Sequence, residues 1–266
     1  MAGALLPPEE VHGVSGALER ELAYHEKLYS GFAQRHFAKP AVRAMRAHLV
    51  GRILSLTGAD RSTRVLSLGC GIGDTELLLA PHVGEVLGID LSPAAVRQAR
   101  ADAERLGIAN ARFEEGTSAG GRWDLVIAIF FLHHLPDPDL AALPAQVREL
   151  LAPGGRFYSL DPSRRRLSGA VGRAVIPWMM KRYQTEDERE LDPEATGELF
   201  RRGGLETEVL MYDFGSSPLA GLFPSWAGGF RLARRVDDAL LRRPALARLG
   251  SNFELLHVGS ASRPTH

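Results

Sequence analysis

Cysteine is nearly absent: Cys70 is the one thiol in 266 residues. A single thiol excludes a disulfide within the chain and fits a reducing compartment. Net charge is absent as well, since 32 acidic residues balance 32 basic ones. Composition therefore gives no argument for a polyanionic partner such as nucleic acid. Only Lys27, Lys39 and Lys181 of the basic residues are lysines, a bias read here as genomic rather than functional. No apolar run reaches the roughly 18 residues of a membrane span. The opening MAGALLPPEEVHG lacks both the basic and the long apolar stretch of a secretory leader. A soluble, cytoplasmic protein is expected, without internal repeats or low-complexity blocks.

What the chain does contain is alternation. Residues 9–57 carry apolar positions at helical spacing, among them Leu18, Leu22, Leu28 and Phe32, then Val42, Met45, Leu49 and Ile53, with Pro40 opening the second helix. From Arg64 short apolar runs alternate with helical stretches. Strands are expected at Val65–Leu68, Glu85–Ile89, Ala111–Glu114, Leu125–Phe131 and Arg156–Leu160. Helices fall between them at Thr75–Pro81, Pro93–Leu106, with Ser92 as N-cap, and Asp137–Leu151. This period predicts a parallel, doubly wound α/β sheet. Residues 163–190 and 215–250 interrupt it as two inserts, separated by a helix at Pro193–Arg202 and a strand at Glu206–Tyr212. Asn252–Val258 is the last strand expected, and the whole chain, 1–266, reads as one domain.

The stretch VLSLGCGIGDT, from Val65 to Thr75, joins the first strand to the next helix. Ligands of an open parallel sheet bind beyond its C-terminal strand ends, near the switch point. Glycines there let main chain approach a ligand without Cβ clashes, and Asp74 or Thr75 is expected to cap the helix. The dinucleotide fingerprint requires a last glycine at 74, where this chain has Asp74. An acid at a helix start repels a pyrophosphate, so the loop suits a ligand without phosphate. Asp90 ends the second strand, one βαβ step on, where a carboxylate can accept both ribose hydroxyls. Together these features describe a nucleoside with a short polar tail, and argue against a nicotinamide oxidoreductase.

Four segments, VLSLGCGIGD, VLGIDLSP, WDLVIAIFFLHHLPDPD and LLAPGGRFYSLDP, resemble in order and spacing the class I S-adenosylmethionine-dependent methyltransferases. The likeness is strongest from Arg64 to Pro162. It implies a Rossmann-like, doubly wound seven-stranded sheet with the last strand antiparallel, N-terminal helices (1–58) forming a lid, a cofactor core (64–162) and the two inserts lying over the substrate mouth. It implies S-adenosyl-L-methionine as cofactor, with Gly69, Cys70 and Gly71 at the methionine end, Asp90 on the ribose, Leu91 against the adenine and Ile129 closing the pocket. Two positions depart from the family's pattern. Ser67 stands where many members have an acid, and Thr117 is expected to replace an aspartate that receives the adenine amino group.

Methyl transfer from a sulfonium needs a base only when the acceptor must lose a proton. His133 and His134, directly after the fourth strand, are the candidates, indistinguishable in sequence. On the N-terminal helix, His25 is a further catalytic candidate and Tyr29 a cofactor-binding one, both lining the pocket. Adjacent histidines rarely point the same way, and no metal site is expected. Cys70, inside the glycine turn, is not expected to act as a nucleophile. Phe130-Phe131-Leu132-His133 replaces the Pro-Pro-aromatic run of base-methylating members, so a nucleic-acid acceptor is not expected. The inserts supply Trp178, Met179 and Met180, then Leu222, Phe223, Trp226 and Phe230, which favour a lipophilic small molecule or lipid methylated on O, N or C. Arg164, Arg165, Arg166, Arg173, Lys181 and Arg182 flank the first insert, where they can meet an anionic group on the acceptor or an anionic membrane surface. The alternatives are a catalytically silent cofactor-binding scaffold and, less favoured, an RNA or protein methyltransferase.

Overall fold

The computed structural model describes residues 38–117, 119–166 and 190–259. The N-terminal run with His25 and Tyr29, and most of the first insert, lie outside the described residues.

Among the described residues helix α1 (Pro40–Thr57) comes first, with proline in its first turn and Gly58 at φ 64° closing it. The alternating core follows: β1 (Arg64–Leu68), α2 (Glu76–Leu79), β2 (Glu85–Asp90), α3 (Pro93–Leu106), β3 (Ala111–Glu115), β4 (Trp123–Ile129), α4 (Asp137–Leu150) and β5 (Leu151–Pro162). Then come α5 (Pro193–Arg202), β6 (Thr207–Asp213), α6 (Ser216–Leu222), α7 (Ala227–Leu241), α8 (Pro244–Ala247) and β7 (Asn252–Val258). The seven strands are ordered β3-β2-β1-β4-β5-β7-β6. Strands β1 to β5 pair in parallel, whereas β7 runs antiparallel to both β5 and β6. The expected sheet, including its antiparallel last strand, is thus the observed one.

Both faces are covered, which is why the central strands read as continuous apolar runs. Leu49 and Ile53 of α1, Leu79 of α2 and Val96 and Ala99 of α3 pack on Val65, Ile127 and Tyr158. On the other face, Leu143 and Val147 of α4 and Phe200 of α5 pack on Leu66, Val126 and Phe157. Helix α1 is pinned along its length. Arg46 pairs with Asp74 at 2.6 Å, Arg52 Nε donates to the buried Glu254 of β7 at 2.7 Å, and Arg156 donates to the carbonyl of Thr57. The helix therefore runs from the C-terminal end of β1 toward the N-terminal side of β5's paired run.

Of the boundaries that differ from the sequence expectation, three have an identifiable cause. Strand β4 stops at Ile129, because Phe130 takes φ 54° and turns the chain out of the strand. Strand β5 begins at Leu151, since Leu151 already pairs with Trp123 across a register shift that absorbs the Pro153-Gly154-Gly155 turn. The helix after the glycine turn is one turn, Glu76–Leu79, and continues as a 3-10 turn over Ala80–His82, where Pro81 is compatible with the tighter winding. No helix among the described residues is long and apolar enough to cross a membrane.

Candidate active site

Strand β1 has β2 on one side and β4 on the other. The order reverses there, so the crevice opens between the C-terminal ends of β1 and β4. The glycine turn leaves β1 at this point. Gly69 sits at φ 65°, and a Cβ there would lie 2.3 Å from Cδ2 of Phe131. Position 69 therefore requires glycine twice, for its left-handed backbone and for the ring that covers it. The turn is tied to β2 by the Cys70 amide, which donates to the carbonyl of Ile89 at 3.0 Å.

Asp90, at the end of β2, aims its carboxylate at the turn. Oδ2 accepts from the Gly71 amide at 2.7 Å and Oδ1 from the Ser92 amide at 2.8 Å. A carboxylate offers about four acceptor positions, so both oxygens retain capacity for the hydroxyls of a ribose. The Gly116 amide donates to the carbonyl of Asp90 at 3.0 Å, which brings the half-buried Thr117 beside the same strand end. Leu91, next to Asp90, is exposed. Cys70 is buried, its Sγ close against Gly88, and burial pushes its thiol pKa well up, which makes it an inert thiol facing the core. Ile129 is the last buried residue of β4.

Two expectations about the turn are corrected. Neither Asp74 nor Thr75 caps α2: Thr75 makes no side-chain cap bond, and its hydroxyl accepts from Arg46 at 3.2 Å. Asp74 is paired with Arg46, so its charge is balanced locally rather than left to repel a ligand. Ser67, the residue in place of an acid, donates its hydroxyl to the buried Glu76 at 2.6 Å.

The β4 side is built differently. Phe130 occupies the left-handed region, uncommon for a bulky residue and typical of strained functional positions. Its amide still donates to Leu160 at 2.7 Å, and Arg46 lies 5.5 Å from its ring centroid. The reversal throws Phe131 over Gly69 and starts the 3-10 turn Leu132–His134. That turn sets His133 against Asp161 of β5, with Nδ1 2.9 Å from Oδ1 and the His133 amide donating to the same oxygen at 3.2 Å. Burial raises the Asp161 pKa, opposed by the amides of the turn.

Sequence left the two histidines equivalent; the structure separates them. His133 is buried and held by Asp161, whereas His134 is half-buried, its ring centroid 3.9 Å from that of His133 with the planes tilted by 39°. Contrary to expectation, the adjacent rings share one side of the turn. Asp161 and Glu76 had no assigned role in the sequence reading. Their signals are faint: an acid inside the apolar run FYSLD, and an acid opening the run of three leucines after the glycine turn.

The inserts also sort out. Arg165 pairs with Asp192 at 2.9 Å and Arg166 with Glu190, so neither is an unbalanced charge awaiting an anionic group. In the second insert Phe230 is buried against Ala41 and Ala220, while Leu222, Phe223 and Trp226 are exposed. This insert leaves β6 and enters β7 at the edge where the crevice opens. Among the described residues, no three His, Cys, Asp or Glu side chains gather as for a metal ion.

Residues 65–155 match the family model described as "Methyltransferase domain". A ubiquinone biosynthesis O-methyltransferase of Cereibacter sphaeroides (strain KD131 / KCTC 12085) is 33% identical over 150 residues, covering 54% of this chain and 60% of that protein. The chain thus spans less than two thirds of that relative's length. In fold it is similar to magnesium protoporphyrin IX methyltransferase from Synechocystis PCC 6803, a structure with bound SAH (TM-score 0.59, 16% identity, 90% and 100% of the two chains). It is also similar to a [4+2]-cyclase (TM-score 0.54, 19% identity, 80% and 81%). The segment from Val65 to Gly155 thus matches a methyltransferase domain, and it lies within the seven-stranded sheet.

Proposed function

We propose that this protein transfers the methyl group of S-adenosylmethionine to an oxygen of a lipophilic small molecule. One observation supports the choice of oxygen: His133, held by Asp161 and only two residues from the ring that covers Gly69, takes a proton from an acceptor hydroxyl on this reading. The similarity to the Cereibacter O-methyltransferase supports the same choice.

On this reading the main chain of Gly69–Gly71 faces the methionine end, and the remaining acceptor positions of Asp90 take the ribose hydroxyls. Leu91 packs against the adenine, Thr117 accepts from its amino group, and Ile129 forms part of the wall. When bound, the cofactor supplies a methyl group already activated on sulfonium sulfur, so displacement depends mainly on positioning. Asp161 engages Nδ1 of His133, which orients the ring for general-base work. Asp161 is a positioning residue and His133 the catalytic one. Phe131, lying over Gly69, keeps water from the crevice floor. His25 and Tyr29 belong to the same proposal as pocket groups from the N-terminal segment.

The fold does not by itself decide the chemistry, as the cyclase on the same sheet illustrates. The protein should therefore be incubated with methyl-labelled S-adenosylmethionine and a panel of lipophilic hydroxy compounds. Label is expected in an O-methylated product, with S-adenosylhomocysteine formed in equal amount. Cofactor binding without transfer to any acceptor would instead favour the silent scaffold.

A further inference from the structure

Glu76 is a buried acid that the transfer chemistry does not use. It opens α2 beneath the glycine turn and is 2% exposed. Oε1 accepts from Ser67, while Oε2 is buried with no hydrogen-bond partner among the described residues. Burial raises its pKa from 4.5 to about 7; Ser67 and Arg46 oppose the rise and Asp74 adds to it. Its charge also acts on the Cys70 thiol. The groups around it are thus Ser67 on β1, Cys70 and Asp74 in the turn, and Arg46 on α1.

A buried carboxylate with one oxygen unmet is costly unless a cation compensates it. Arg46, the basic group acting on Glu76, already binds Asp74 and Thr75. The methionine end of S-adenosylmethionine carries two positive charges, a sulfonium and an ammonium, against one carboxylate, so it is net cationic, and the proposed function seats that end on the turn above. We infer that Glu76 is the counter-charge of the cofactor's cationic end: it ionises when the cofactor docks, and its proton is released to the solvent. The inference rests on the cofactor reading given above.

Titration calorimetry with S-adenosylmethionine near pH 6.5, in buffers of different ionisation enthalpy, counts the protons released on binding. The wild-type protein should release a large fraction of one proton per site. Glu76→Gln should release none and bind about tenfold or more weakly, the scale of one lost charge interaction. Adding Ser67→Asp to Glu76→Gln restores an acid under the turn and should recover most of the affinity. Binding by the wild type without proton release overturns the inference even if Glu76→Gln fails to fold. Unchanged affinity in Glu76→Gln does the same. Both results leave the cofactor reading standing, whereas a wild-type protein that binds no S-adenosylmethionine overturns that reading and this inference with it.

Discussion

The two lips of the crevice are made of opposite materials. On the β1–β2 side the wall is main chain: glycines in left-handed conformations, amides held by Asp90, and one exposed leucine. On the β4–β5 side it is side chains, set by a strained Phe130 and a histidine locked to a buried aspartate. Main chain suits a ligand that is always the same, because its geometry comes with the turn. Side chains suit the reacting groups, whose proton affinities must be set by burial and partners. The contrast predicts that damage on the first side weakens binding and damage on the second slows transfer.

The largest effect should come from His133→Gln. Transfer to a hydroxyl acceptor should slow by about 10²–10⁴, the usual contribution of a general base. Calorimetry should find the S-adenosylhomocysteine affinity nearly unaltered. A matching loss of affinity would erase the division between the two lips.

Gly69→Ala strikes both lips, since it strains the turn and drives a methyl group into Phe131. Unfolding in urea should show a loss of about 2–4 kcal/mol, combining a left-handed non-glycine residue with an overpacked contact. A loss under 1 kcal/mol would mean that Phe131 swings aside freely.

Asp90→Ala should weaken cofactor binding by about 1.5–3 kcal/mol, the range for a hydrogen bond to a charged group. The rate with saturating cofactor should change little. Unaltered affinity would place the ribose elsewhere.

The smallest effect is one of pH. Glu76 titrates near 7 in the folded protein against 4.5 ordinarily, so the native state holds its proton more tightly than the unfolded chain. That contribution favours folding at low pH and is lost as pH rises from about 4.5 through 7. Stability should fall by about 1–3 kcal/mol across this window, and Glu76→Gln should flatten that part of the profile. An equal slope in the variant would assign it to another group, with the buried Asp161 and Asp213, both raised, the first to test.

Legibility in the sequence follows the same division. The glycine turn and Asp90 are contiguous or one βαβ step apart, and the strand–helix alternation places them without long-range information. The acceptor side depends on contacts between distant residues. His133 meets Asp161 across 28 positions, and Arg46 reaches Asp74 from a helix that precedes the sheet. Periodicity does not encode such pairs. It also misplaced the end of β4, because Phe130 and Phe131 extend the apolar run although the backbone has already turned. Glu76 was hidden for another reason: an acid in the first turn of a helix is ordinarily a solvated partner of the helix dipole, and only the packed structure reveals its burial.

The most direct measurement of the central claim is a calorimetric titration of the wild-type protein with S-adenosylhomocysteine and, separately, with NAD. The account predicts one S-adenosylhomocysteine site per chain and no binding of NAD. Binding of NAD with none of S-adenosylhomocysteine would contradict it.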